Sequence, residues 1–427
     1  MKMNRLAGIN RQKKIVAFLT LSLCIILFSS FAVAAEKYQV PTNRKVTDIF
    51  PADIITGPHY QIRDKVVSYG YMDHFTVDSD YGVFQVTGNL ALLKLLKEIK
   101  AIAILEKVKS STAYADALEK SGQLSFDFGK NLITDPVETL SGIPRGVTGL
   151  FKDIETSLTS PRDPSEDSRA EQLLAVSSYK RDYAYSLGVD VYSSNAVLQK
   201  ELNRVGWAGA LGSLSVSAAL APFGGPVAMA ISTTRFAQQL NDLLKEEPPQ
   251  RLRQINEQKL ADMGVPDDLA GRFLDNTAFT PRHDTVIVAS LAELKDAQGR
   301  DAFIQYVLSA GDEEQANFFQ YMAETMRGYQ EKVSPIVTIK VVSGLVFARA
   351  NDGSILVPIP VDYLVWTKRA DRVSSESTKN YAASDPNAAG NFTLWATGTM
   401  TPLAKEQLGL KGVFVTENVY KKMEFSY

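Results

Sequence analysis

Residues that could do chemistry are thinly spread along this 427-residue chain. Its three histidines, His59, His74 and His283, lie far apart, no His-x-x-x-His pair occurs, and Cys24 is the only cysteine. A zinc site therefore has no local signature, and neither a metal nor a cofactor is expected. Within Asp73-His74, neighbouring side chains of a strand would point to opposite faces, which argues against a joint ligand role. Asp78, Asp80 and Gly82 imitate the start of a calcium loop. An EF-hand needs further ligands at positions five and twelve, and here Gly82 and Asn89 stand there. A hairpin turn accounts for the same residues.

Nucleophile motifs are equally scarce. The chain has no G-x-S-x-G elbow, no P-loop and no dinucleotide-type glycine fingerprint. Ser177-Ser178-Tyr179-Lys180, Ser193-Ser194-Asn195 and Lys120-Ser121-Gly122 resemble the pieces of a penicillin-binding-type set. In that family the Ser-x-x-Lys sits on a helix and the Lys-Thr/Ser-Gly strand comes last. Here the Lys-Ser-Gly piece comes first, inside a helical pattern. The sequence thus assigns no catalytic residue.

Two stretches suggest binding instead. Tyr179, Tyr183 and Tyr185, with Tyr192 nearby, crowd around Lys180, Arg181 and Asp182. Half-buried aromatics with polar tips suit a ligand site or an interface. Between Arg204 and Arg235 thirty consecutive residues carry no charge, and Pro222-Phe223-Gly224-Gly225-Pro226 divides them. The pattern is that of a helical hairpin with small residues four apart, able to pack closely in a core or in lipid. It resembles in outline the hydrophobic hairpin of colicin-type pore formers, over about thirty residues and without a shared motif. In a core the stretch is buried; in lipid, Trp207, Val216 and Phe223 are the candidate membrane contacts. Each arm is shorter than the ~20 residues a span needs, which favours the core.

The beginning of the chain reads as an address. Lys2, Arg5, Arg11, Lys13 and Lys14 form a basic head, Ile15 to Ala35 is uncharged, and the run closes on Ala32-Val33-Ala34-Ala35. This is the pattern of a bacterial-type signal peptide cut after Ala34, with a retained anchor as the alternative. Cys24 lies inside that run after Leu23, which does not fit a lipidation site. The remaining chain would hold no thiol and depend on its core alone. The head takes five of the 46 Lys and Arg, so 41 stand against 48 Asp and Glu and the remainder carries −7. A mildly acidic exported chain is a poor partner for nucleic acid.

The elements around these residues spell an α+β chain. Ile62 to Thr87 alternates around Asp78–Gly82 as a β-hairpin, and Asn89 then caps a helix with Leu92, Leu95, Leu96, Ile99 and Ile102 on one face. Lys94, Lys97, Glu98 and Lys100 are expected on the other, solvated face. A helix is expected from Thr134-Asp135-Pro136, a polar linker over Ser160–Ser168, and helices from Arg169 to Lys332. Two β-rich runs, Ile336–Ala350 and Ser354–Trp366, meet at Asn351-Asp352-Gly353, and Pro358 and Pro360 mark the second as an edge strand. Asp371–Gly390 reads as a loop, Phe392–Ala396 and Val413–Val415 as strands, and Leu403–Leu408 as a helix opened by Thr401-Pro402. The expected division is a signal peptide over 1–34, an N-terminal β-hairpin region over 35–90, a mostly helical domain over 91–332 and a C-terminal β-rich α+β module over 333–427.

The functional expectation is an exported envelope protein with a binding or structural role, partnered by a protein or envelope component. A membrane-inserting or pore-forming role through 205–234 is the first alternative, and a secreted hydrolase joined by no motif is the second.

Overall fold

The computed structural model describes residues 37–122, 164–212, 214–223, 234–385, 391–423 and 425–426. The expected signal peptide, the Thr134-Asp135-Pro136 helix and residues 224–233 of the uncharged stretch lie outside them. Residues Pro41–Tyr427 form one compact unit. Both helices and sheets are present, so the chain is α+β.

The N-terminal sheet is larger than a hairpin. It holds β1 (Arg44–Lys45), β2 (Thr56–Gly57), β3 (Tyr60–Ile62), β4 (Lys65–Ser68), β5 (Asp73–Ser79) and β6 (Gly82–Thr87). The hairpin β5–β6 pairs from His74↔Thr87 to Ser79↔Gly82. The other edge of β5 is shared, with β4 pairing at Asp73–His74 and β3 at Val77–Ser79. The alternation of β5 puts Phe75 and Val77 into a core with Ile62 and Val66.

Four residues of Ala52–Ile55 make a short helix α1, and α2 (Asn89–Lys109) follows β6. The cap of α2 is Gly88, at φ 101°, and not Asn89, which is its first residue. Leu92, Leu95, Leu96 and Ile99 of α2 pack on the N-terminal sheet, whereas Ala101, Ile102, Leu105 and Val108 enter the helical core. A helix that serves two cores is buried on nearly every side.

The helical layer continues with α3 (Thr112–Gly122), α4 (Pro164–Leu187), α5 (Ala196–Gly212), α6 (Val216–Leu220), α7 (Arg235–Glu246), α8 (Pro249–Asp262), α9 (Asp267–Leu274), α10 (Pro281–Ala292), α11 (Arg300–Val307) and α12 (Glu313–Lys332). The expected polar linker is corrected here: Pro164 to Ser168 are the opening of α4, with proline in the first turn where its missing N–H is tolerated. In the described part of the uncharged stretch the first arm is divided, and nearly all of the second arm lies outside the described residues. One piece of the first arm is the second half of α5, and α6 is a separate short helix capped by Ser215. Among the described residues no helix is long and apolar enough to cross a membrane.

The C-terminal strands form a five-stranded sheet in the order β13-β11-β9-β8-β7, with β7 (Ile336–Val342), β8 (Leu345–Ala350), β9 (Ile355–Ile359), β11 (Phe392–Ala396) and β13 (Val413–Thr416). The run Ile336–Ala350 is itself a hairpin, turning at Ser343 and Gly344, both with positive φ. Asn351-Asp352-Gly353 then joins β8 to β9 as expected. β9 is not an edge strand: β11 pairs with it in parallel to Ile359. Pro358 acts locally, because the ladder to β8 covers only Ile355 and Leu356. A two-stranded ladder of β10 (Tyr363–Leu364) and β12 (Thr399–Met400) lies beside this sheet.

Asp371–Gly390 is not a loop. Residues Lys368–Ser384 form α13, capped by the Thr367 hydroxyl, and 386–390 lie outside the described residues. The Ser374 and Thr378 hydroxyls donate back to the carbonyls of Asp371 and Ser374. Tyr381 stacks on Phe347 of β8 at 4.6 Å. Helix α14 (Pro402–Leu410) begins at the Thr401 cap with Pro402 in its first turn, as the sequence suggested.

Candidate functional site

The polar residues singled out in the sequence are dispersed. Asp78 makes a two-point ion pair with Arg63 at 2.7 and 2.8 Å, and His59 meets Asp80 at 2.9 Å, so the acidic turn is occupied by side-chain pairs. Asp73 is buried against Arg44 at 2.6 Å, while His74 lies on the other face of β5 beside Thr87. Among the described residues no group of three or more His, Cys, Asp or Glu could hold a metal ion.

The tyrosines do not gather into a pocket. Tyr183 is fully buried in the helical core, and burial pushes its phenol well above the usual range. Tyr179 packs against α5 so closely that a side chain at Gly209 would collide with its ring. Tyr185 points outward and its hydroxyl meets Asp242 at 3.2 Å. In the uncharged stretch, Trp207 is buried, Val216 is half-buried and the Phe223 side chain lies outside what is described.

The penicillin-type pieces also part company. Ser177 accepts a hydrogen bond from Arg181 at 2.8 Å. Lys180 donates to Gln199 at 3.0 Å, and burial lowers its amine to about 8. Lys120-Ser121-Gly122 closes α3, and Ser193-Ser194-Asn195 lies in the connection before α5.

That connection forms one wall of a cleft of about 460 Å³. Phe84 and Val86 of β6, Ala91 and Leu95 of α2, and Val197 of α5 supply its apolar lining. Lys94 and Glu98 of α2, Asn195, and Glu313, Glu314 and Asn317 of α12 supply its polar one. Lys94 and Glu98 are four residues apart, so they share a helix face. The expected solvated face is corrected at both positions: Glu98 is 3% exposed and the Lys94 side chain 14%. Asp190, and Glu313 of α12, lie against Lys94, and Asn195 of the 193–197 connection lies against Glu98.

The charges behind the cleft form a network. Lys94 Nζ lies 3.2 Å from Asp190 and 3.9 Å from Glu313, and Arg282 lies 4.0 Å from Asp190. Burial would raise the Asp190 carboxyl, but Lys94 and Arg282 outweigh it and hold it below its ordinary value. Burial would likewise lower the Lys94 amine, and Asp190, Glu98 and Glu313 keep it raised. Glu98 differs. Burial raises its carboxyl despite Lys94, Ser193 and Asn195 nearby. Its Oε2 accepts from the Asn195 amide at 3.0 Å, and its Oε1 has no hydrogen bond of ordinary geometry.

His283 backs the same region. Its Nδ1 accepts the Thr280 N–H at 3.1 Å, which puts the ring proton on Nε2, facing Asn317 Oδ1 at 3.1 Å. Burial, then Lys94, lowers its pKa to about 4, so the ring is neutral. Sequence reasoning missed this site because its members come from four separate elements. The one available signal was the Lys94–Glu98 spacing on a helix otherwise rich in leucine and isoleucine.

A smaller cavity of about 110 Å³ opens between Arg44, Asp48, Asn89, Asp362, Thr397 and Thr399. Both oxygens of Asp362 there are occupied by backbone N–H groups, which gives it a structural part. The chain matches no known family model, no curated protein and no solved structure.

Proposed function

We propose that this chain is an exported cell-envelope protein whose role is binding, with the cleft between β6, α2, residues 193–197 and α12 as its ligand seat. Glu98 carries the reading. A carboxyl group 3% exposed, held by the Asn195 amide and the Ser193 hydroxyl beside it, costs stability that an apolar residue would not cost there. A perturbed acid in a mixed polar and apolar cleft is the pattern of a binding site. The basic head, uncharged run and Ala-Val-Ala exit support export.

Fractionation with an alkaline wash tests the address. The expected protein lies outside the cytoplasm and is released by the wash. Retention in washed membranes of a protein that begins at Ala35 would replace this reading with a membrane-inserting role for 205–234, whereas retention with the basic head still attached would mean an N-terminal anchor. The seat is tested by native mass spectrometry of protein purified from its own envelope fraction. A bound small molecule is expected on the parent and absent from the cleft-filling variant Val197→Trp. The same mass for a ligand on both would place the binding elsewhere.

A further inference from the structure

We propose that the cleft takes a short free peptide, basic and about five residues long, held as an added strand along the outer edge of β6. This rests on the reading of the cleft as a ligand seat and adds the class of ligand and its mode of binding.

Among the described residues β6 pairs with β5 alone, so its other edge is open. Which groups line that edge follows from the bonds of β5. The Thr76 carbonyl accepts the Arg63 N–H on the far side of β5, whereas the Asp73 carbonyl accepts the Gly88 N–H on the near side. Odd-numbered residues of β5 therefore bond toward β6, and even-numbered ones away from it. Gln85 is opposite Thr76, so it turns its N–H and C=O outward, and alternation does the same for Val83 and Thr87. No described residue hydrogen-bonds to these outward groups. Phe84 and Val86 turn theirs to β5.

This edge borders the cleft. Phe84 to Thr87 line it as four consecutive residues, and strand side chains alternate between faces, so only an edge presents four in a row. Ala91, Leu95 and Glu98 of α2 form the neighbouring wall. Spaced three or four apart, they make a stripe about 10 Å long, the length of those four strand residues.

An open edge is matched by another extended main chain, whose N–H and C=O groups alternate at the same spacing. Its inward side chains would lie beside Phe84 and Val86 and near Ala91 and Leu95, so every second residue should be apolar. The rim sets the charge. Lys94 is held by Asp190 at 3.2 Å and reaches Glu313 only at 3.9 Å. Glu314 is exposed and in no ion pair among the described residues. A basic peptide is therefore favoured over an acidic one. Binding makes and breaks no covalent bond.

The probe is the end-capped pentapeptide Lys-Val-Thr-Val-Lys, titrated into the full chain by calorimetry and amide-resolved NMR. It should slow hydrogen exchange at Val83, Gln85 and Thr87 and leave Phe84 and Val86, already bonded to β5, unchanged. Two N-methylated forms test the main chain, one carrying methyls on both valines and the other on the remaining three residues. One should bind like the probe and the other at least about tenfold more weakly, because alternate amides of an added strand face β6. Glu-Val-Thr-Val-Glu should bind more weakly than the lysine peptide. Gln85→Pro replaces the outward donor with a ring, at a place where an edge strand tolerates proline. It should weaken the probe at least about tenfold and keep the parent's melting transition.

Equal affinity of the two methylated forms, or undiminished binding to a folded Gln85→Pro protein, would overturn strand addition. If Gln85→Pro does not fold, the methylated pair on the parent chain decides. In either case the seat stands if Val197→Trp abolishes binding of the probe, and it falls with the proposal if the probe still binds. Preference for the glutamate peptide would overturn the basic class. If the lysine peptide does not bind, the peptide proposal falls, and the native-mass comparison decides the seat separately.

Discussion

Asp362 Oδ1 accepts the backbone N–H of Asn89 at 2.9 Å, although 273 residues separate them. Its other oxygen accepts the Asp73 N–H, also at 2.9 Å. One side chain past β9 therefore closes the start of β5 and the start of α2 together. The backbone reinforces the junction, since the Asp362 and Val365 N–H groups donate to Tyr71 and Gly70 carbonyls. The N-terminal and C-terminal sheets remain separate, and these bonds link the segment after β9 to the start of β5 and of α2.

Burial raises the Asp362 carboxyl from 3.8 to about 7. The folded chain therefore holds this proton more tightly than the unfolded chain. The resulting stability is complete below about pH 4 and is lost as the pH rises through 7, a change on the order of 4 kcal/mol. Asp362→Asn cannot titrate and loses one acceptor at every pH. Thermal melts at pH 5 and pH 8 should show the gap between parent and variant narrowing toward pH 8. A gap that widens would contradict the assignment.

The neutral ring of His283 predicts the opposite slope at acid pH. Its pKa falls from 6.5 to about 4 in the fold, so the stability it confers is present above 6.5 and lost as the pH drops toward 4. The loss amounts to roughly 3 kcal/mol. His283→Gln should melt at a lower temperature at pH 7 but decline less between pH 6.5 and 4. Parallel decline in both proteins would place the acid sensitivity elsewhere.

The first arm of the uncharged stretch offers a test of burial. Ala208 is 0% exposed, and a side chain at Gly212 would collide with the Ala117 carbonyl of α3. Ala208→Asp should cost about 3–5 kcal/mol as an unpaired buried charge, and Gly212→Val should separate α3 from α5 and destabilise by overpacking. Urea denaturation measures both. A soluble Ala208→Asp protein with an unchanged midpoint would mean that this face is not core.

All three tryptophans, Trp207, Trp366 and Trp395, are 6% exposed or less. The native emission should be blue-shifted and only slightly quenched by iodide, with full quenching after denaturation. Ready quenching of the native protein would show that at least one of these helix or sheet contacts opens in solution.

Local patterns in the sequence were sufficient where one element decides the outcome. The β5–β6 turn, the Asn351-Asp352-Gly353 turn, the Thr401-Pro402 start and the strand Phe392–Ala396 follow from turn chemistry, capping and alternation, all within a few residues. Tertiary contact decided the rest. The segment after Thr367 looks like a loop from its serines and asparagine, yet Phe347, from a different strand, gives Tyr381 a stacking partner and makes the helix worthwhile. Pro358 looks like an edge residue, yet parallel pairing with β11 uses the side of the strand that proline leaves intact. Lys94 and Glu98 look like a solvated helix face, and spacing alone cannot say otherwise. Only the return of α12 and the 193–197 connection takes water from them, because burial of a charge depends on what the chain brings back from far along its length.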